Sequence, residues 1–317
     1  MASKVTIIGT GNFGSTVAFI LAMRGSCHEV ILRGRSIDVA KGKALDMSQA
    51  ANAAREHTIV RAAEGPEDIA GSEIVIITAG APRTPGMSRD DLLIKNADIV
   101  KNYALEIKEY APNAIVIVVS NPLDVMTYVV HKYTGFSRER ILGMAGILDS
   151  ARMAHFIYEK LGYGAGQIRA TVMGGHGDTM VPLPKFTTVA GVPIDDLLDS
   201  EEIGEIVQKT RNGGAQIVNL LGDGSAYYAP AKSTAVMADA ILKDTKQIHS
   251  CAVMMEGEYG YRGIVSGVPV MIGSNGAEKI IEMSLKPLQK EKFKNSVASV
   301  QDMIDTLTEL KFFDDLN

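Results

Sequence analysis

A histidine set among glycines and an aspartate–arginine pair one helical turn apart are the side chains of this 317-residue sequence best placed to do chemistry. In "MGGHGD", glycines at 174, 175 and 177 give His176 an irregular backbone, where a histidine packed into a core would be unusual. Imidazole exchanges a proton near neutral pH, so His176 is the candidate general acid/base. In "ILDSARMAHF", Asp149 and Arg152 are three residues apart and share a helical face. Two roles are open to them. They form an intrahelical ion pair of little energetic consequence, or Asp149 orients His176 while Arg152 grips a carboxylate through paired hydrogen bonds. His28, His57, His131, His155 and His249 stand in helical or loop contexts that need no chemistry.

Further polar groups cluster where strands end. "GAPRTPGMSRDD" carries Arg83 and Arg89 on a loop that Pro82, Pro85 and Gly86 keep irregular. Ligands of open α/β sheets bind at the carboxyl edge of the strands, and a loop there can act as a lid. Two arginines at such an edge suit an anionic substrate; the plainer reading is a pair of solvated surface cations. "SNPLD" places Asn121 at the same edge, either to hydrogen-bond a substrate oxygen or to fix the turn before Pro122.

"VTIIGTGNFGSTVAFILA" contains Gly9, Gly11 and Gly14 as GxGxxG, with Asn12 and Phe13 between, after an apolar strand and opening a helix. The first glycine permits a tight turn, the second lets a pyrophosphate approach, and the third lets helix and strand pack. The free N–H groups of the helix N-terminus face the phosphates. This is the pattern of a dinucleotide site. About 20 residues on, such sites usually carry an acid for the ribose 2′-hydroxyl. Here that count falls on Gly34 in "LRGRS", with Arg33, Arg35 and Ser36 around it. A 2′-phosphate would find room, two cations and a hydroxyl there, and an arginine fork can bond phosphate oxygens in pairs. The expectation is a preference for NADP. Use of both cofactors, or of NAD beside an incidental basic turn, are the alternatives.

The elements that must hold these residues follow from periodicity. Residues 4–9, 29–32, 73–80 and 114–122 are nearly continuous apolar runs, as strands covered on both faces should be. Amphipathic helical segments separate them; in the one starting "SRDDLL", acidic residues mark the start and Pro112 the stop. Strand–helix alternation predicts an α/β fold, a Rossmann-type doubly wound parallel sheet over residues 1–145. A substrate-binding, catalytic α/β domain with antiparallel strands, such as "GIVSGVPVMIG", is expected over 146–317.

Composition narrows the classes of function. The net charge is −5 and no lysine- or arginine-rich run appears, so neither nucleic acid nor a membrane surface is an expected partner. Apolar runs such as "AIVIVV" are too short to span a bilayer. Cys27 and Cys251 lack metal-ligand spacing and are expected to be free thiols in a cytoplasmic protein without a metal site.

Taken together, "GTGNFG", "GAPRTPGMSR", "SNPLDVMTY", "GMAGILDSAR", "GGHGDTMVP" and "GSAYYAPA" resemble the malate dehydrogenases of the lactate-dehydrogenase-like type, from about residue 4 to 310. The resemblance implies reversible hydride transfer between (S)-malate and oxaloacetate with a nicotinamide cofactor, in a homodimer or homotetramer. It implies His176 as acid/base, Asp149 as its partner, Arg152 on the C1 carboxylate, Arg89 on the reacting carbonyl and Asn121 beside it. Arg83 falls where lactate dehydrogenases carry glutamine, which implies selection of a second carboxylate. Asn96 and the backbone at Val119 match cofactor contacts. Gly34 departs from the aspartate of NAD-dependent relatives. The rival expectations are a lactate dehydrogenase and a nucleotide-binding protein without catalysis.

Overall fold

The computed structural model describes residues 3–81, 88–222 and 224–316. Six strands form its parallel part: β1 (Lys4–Ile8), β2 (Glu29–Arg33), β3 (Ile59–Ala62), β4 (Ile74–Ile77), β5 (Ile115–Val118) and β6 (Ile141–Gly143). They lie in the order β3-β2-β1-β4-β5-β6, so the strand order reverses between β1 and β4. The ladders run Lys4↔Glu29, Val5↔Ile74, Ile74↔Ile115 and Val116↔Ile141. Every residue of β4 and β5 is buried, because helices cover both faces of the sheet. Those helices are α1 (Asn12–Met23), α2 (Ile37–Ala53), α3 (Arg89–Tyr110) and α4 (Leu123–Thr134).

The sequence periodicity identifies four of these six strands and passes over β3 and the three-residue β6. The β3 run "IVRA" is short and includes Arg61, which pairs with Glu29 at 2.7 Å and Asp68 at 3.1 Å instead of joining the apolar layer. The start of α3 follows from local chemistry. Ser88 Oγ accepts from the Asp91 N–H, and the Asp91 carboxylate accepts from the Ser88 N–H, each at 3.0 Å. This capping box satisfies two otherwise open donors.

The second half opens with α5 (Gly146–Leu161), followed by short strands β7 (Ile168–Arg169), β8 (Val172–Met173), β9 (Val181–Pro182), β10 (Thr188–Val189) and β11 (Val192–Pro193). Helices α6 (Ser200–Leu221) and α7 (Tyr228–Leu242) precede a long antiparallel meander, β12 (Gln247–Glu256), β13 (Arg262–Gly273) and β14 (Gly276–Ile280), closed by α8 (Pro287–Glu309). The meander extends the parallel sheet: β12 pairs antiparallel with β6 at Ala252↔Gly143, making nine strands in one sheet. Gly143 permits this approach, since a Cβ there would stand 2.9 Å from that of Ala252. A large apolar core follows the nine-stranded sheet, and a smaller one of Met153, Ile157, Val172, Met180, Ile194 and Ile206 underlies α5 and α6. The expected α/β architecture, parallel first and antiparallel later, is the one observed.

Candidate active site

The glycine-rich turn lies at the reversal of strand order, where open α/β sheets bind ligands. Gly9, at φ +110°, turns the chain so that its N–H reaches the Arg33 carbonyl at 2.7 Å; a Cβ there would meet Thr78 Oγ1 at 2.5 Å. At Gly14 a Cβ would sit 1.9 Å from the Gly9 carbonyl oxygen, so only glycine lets α1 pack on the turn. Gly11 is different: the space beside it is open. No side chain among the described residues caps the α1 N-terminus, which leaves the first N–H groups, at Asn12 and Phe13, available to an anion. Lys43 braces the turn from α2, donating to the Thr10 carbonyl at 2.7 Å and to Ser15 Oγ at 2.9 Å.

From this turn a crevice of about 800 Å³ runs between the loops after β1, β2 and β4 and one face of α3, past Gly34, Arg35, Ala79, Ile99 and Tyr103. An open glycine, uncapped helix amides and a long partly apolar trough fit a dinucleotide. No group of three or more potential metal ligands stands together among the described residues.

"LRGRS" borders the crevice, but its residues are not equivalent. Arg33 makes a two-pronged ion pair with Glu106 of α3, Nε to Oε1 at 2.9 Å and Nη2 to Oε2 at 3.2 Å. That hydrogen-bonded carboxylate holds the guanidinium above its ordinary pKa against the opposing effect of burial. Arg35 is exposed and has no side-chain partner among the described residues. Ser36 caps α2, its Oγ accepting from the Val39 N–H at 3.4 Å. Gly34 abuts Thr10, whose Oγ1 would be 2.5 Å from an added Cβ. The acid-free position is therefore also a crowded one.

His176 lies in the loop after β8, with Gly174 at φ +84° and Gly177 at φ +127°. Three elements pin this loop. Gly174 and Gly267 of β13 exchange backbone hydrogen bonds, the Gly175 N–H donates to Ser296 Oγ of α8 at 2.7 Å, and the His176 N–H donates to Asp124 Oδ2 of α4 at 2.8 Å. The ring Nδ1 lies 2.9 Å from Asp149 Oδ2. The Asp149 side chain is 2% exposed and that of His176 15%, so the contact is sheltered while the ring stays accessible. Burial acts to lower the histidine pKa, but the Asp149 carboxylate outweighs it and raises the ring above the usual histidine range.

The same carboxylate accepts from Arg152 Nη1 at 3.3 Å. The Arg152 Nε is buried without a partner among the described residues, so the fork retains donors for a substrate carboxylate. Gly213 and Gly214, inside α6, pack beside it: added Cβ atoms would lie 3.6 Å from its Cδ and 3.5 Å from its Nη2, ordinary van der Waals distances.

Asn121 ends the β5 loop, exposed, before a cis bond to Pro122. Asn96 is buried and ties two loops together, Oδ1 accepting from the Ala81 N–H at 2.7 Å and Nδ2 donating to the Asn121 carbonyl at 2.8 Å. Val119 is buried and its N–H donates to the Ile77 carbonyl at 2.9 Å. Arg83 and the side chain of Arg89 lie outside the described residues; Arg89 is the first residue of α3.

Sequence reasoning missed Asp124, Glu106, Lys43 and Ser296. Asp124 stood in plain view in "SNPLD", and its place in the first turn of α4 was the one available signal. Its Oδ1 is buried without a partner among the described residues, and burial, opposed by the His176 N–H, pushes its carboxyl up to about 6.

The first half matches the family model described as lactate/malate dehydrogenase, NAD binding domain, over residues 3–143. The second matches lactate/malate dehydrogenase, alpha/beta C-terminal domain, over 147–311. The chain is 65% identical over 311 residues to a malate dehydrogenase of Sulfurimonas denitrificans, covering 98% of each. Among solved structures it resembles the malate dehydrogenase of Salinibacter ruber, with 43% identity, TM-score 0.93 and 97% and 98% of the two chains covered. It also resembles the lactate dehydrogenase of Eimeria maxima with NADH and oxamate, with 35% identity, TM-score 0.95 and 99% and 96% covered.

Proposed function

Because the chain belongs to the lactate/malate dehydrogenase family, we propose that it interconverts (S)-malate and oxaloacetate and prefers NADP to NAD. The observation that carries the catalytic reading is the Asp149–His176 contact at 2.9 Å, with Arg152 on the same carboxylate. A nicotinamide bound in the crevice supplies reversible hydride exchange with C2 of the substrate. With Nδ1 engaged by Asp149, Nε2 is the working nitrogen of His176. It takes the C2 hydroxyl proton during malate oxidation and returns it to the carbonyl oxygen during oxaloacetate reduction. Asp149 fixes the tautomer and stabilises the imidazolium. Arg152 holds the C1 carboxylate, Arg83 the second carboxylate, and Arg89 offers positive charge where the carbonyl oxygen becomes negative. Asn121 donates a further hydrogen bond to the substrate.

The cofactor preference is supported by the acid-free Gly34, the exposed Arg35, the Ser36 hydroxyl and the N-terminus of α2 beside them. Glu106 favours the second reading, dual use of NAD and NADP, because it engages Arg33. Oxaloacetate-dependent oxidation of NADPH and NADH, compared as kcat/KM at one pH and salt concentration, separates the two. A tenfold preference for NADPH, about 1.4 kcal/mol of differential transition-state binding, is the expected result. Equal or reversed values would reduce "LRGRS" to a basic turn without a phosphate. We also read the protein as a cytoplasmic homo-oligomer, dimer or tetramer. No helix among the described residues is long and apolar enough to cross a membrane.

A further inference from the structure

We propose that Glu106 is a specificity-determining residue of the cofactor site, a carboxylate that competes with a 2′-phosphate for Arg33 and limits discrimination between the two dinucleotides. The inference rests on the 2′-phosphate reading of "LRGRS" and adds to it a residue 73 positions away from Arg33.

Glu106 lines the crevice on the α3 face that also presents Ile99, Asn102 and Tyr103, across from Gly34 and Arg35. It meets Arg33 edge-on, using Nε and one Nη2 donor, while Nη1 turns toward the Gly34 carbonyl at 3.5 Å. The side chains are 23% and 14% exposed, so solvent screens the pair only in part. Seen from a phosphate at Gly34, Arg33 and Glu106 together form a dipole with little net charge. The field of a dipole fades faster than that of a lone cation, and its carboxylate end repels the phosphate. Arg35, exposed and without a side-chain partner among the described residues, then supplies most of the attraction. A phosphate that recruits Arg33 must do so against the two hydrogen bonds Glu106 already makes. The fork geometry that suits arginine to phosphate is here turned toward a carboxylate.

The test uses Glu106→Gln, which removes the charge but keeps an oxygen to accept from Arg33 Nε. The probes are adenosine 2′,5′-bisphosphate and 5′-AMP, which differ only in the 2′-phosphate, titrated calorimetrically at fixed salt. The expected result is that Glu106→Gln tightens the bisphosphate about tenfold, ~1.4 kcal/mol, and leaves 5′-AMP within twofold. The gain should vanish in the Arg33→Ala/Glu106→Gln double variant, which also leaves no unpaired half-buried charge. A wild-type protein that discriminates the probes, with Glu106→Gln leaving the ratio unmoved, overturns the role of Glu106 alone. A gain that survives in the double variant does the same, since Arg33 would not be the group contested. Equal wild-type binding of the two probes, unchanged by Arg35→Ala, overturns the phosphate site itself and this inference with it.

Discussion

Replacing Asp149 by asparagine tests the catalytic reading at its centre. The carboxylate lies 2.9 Å from His176 Nδ1 in a contact where its own side chain is 2% exposed. Unit charges about 4 Å apart interact by about 4 kcal/mol at an effective dielectric of about 20. Neutralising Asp149 should therefore lower the pKa of His176, because burial then acts without the opposing carboxylate. Oxaloacetate reduction requires the protonated ring, so at pH 7.5 kcat should fall about 10²–10³-fold, within the usual range for losing an acid/base catalyst. Two signatures distinguish this from structural damage. The midpoint at which reduction declines with rising pH should move to lower pH, and activity should recover in part as the assay is acidified. NADPH affinity should stay within about twofold, since the contact lies outside the cofactor crevice. Steady-state kinetics from pH 5 to 9, with fluorescence titration of NADPH, supplies both readouts. A variant that loses activity with its pH midpoint unmoved would refute the claim that Asp149 stabilises the imidazolium.

His176→Asn should keep cofactor affinity and lose most turnover, about 10²–10⁴-fold; near-normal kcat would dismiss the histidine as acid/base. Arg83→Gln should shift the ratio of kcat/KM for oxaloacetate over pyruvate by roughly 10–100-fold toward pyruvate, the worth of a hydrogen bond to a charged group. An unchanged ratio would remove Arg83 as the selector. Asp124→Asn tests the buried carboxyl whose pKa stands at about 6 against an ordinary 3.8. A raised carboxyl pKa contributes stability fully present below pH 3.8 and lost as pH rises through 6. Relative to the wild type, the variant should therefore gain up to about 3 kcal/mol between pH 4 and pH 7. Urea midpoints at those two pH values measure it, and a difference that does not change with pH would show that Asp124 titrates normally.

The features read correctly from the sequence are those whose physics is local. The glycines of "GTGNFG" and "MGGHGD", the one-turn spacing of Asp149 and Arg152, and the apolar runs of β1, β2, β4 and β5 owe their form to near neighbours in the chain. The spacing in "ILDSARMAHF" left the partner of Asp149 open, and the fold gives it two: Asp149 pairs with Arg152 and reaches His176, 27 residues on. Contacts across the fold left no such trace. Arg33 and Glu106 are 73 residues apart, and Asp124 reaches the His176 backbone across 52. Nothing in the local pattern distinguishes Glu106 from any exposed helical glutamate, or Arg33 from its neighbour Arg35. Asn96 is a comparable case: its amide joins the loops after β4 and β5, a task defined only once those strands lie side by side. The meander was expected to be antiparallel, but its attachment to β6 depends on an edge left open by the parallel strands and on Gly143 admitting Ala252. Periodicity and turn chemistry specify which elements form, because they act within a few residues. Which charge faces which, and how strongly a cation is already engaged, depends on packing that brings distant segments within hydrogen-bonding range.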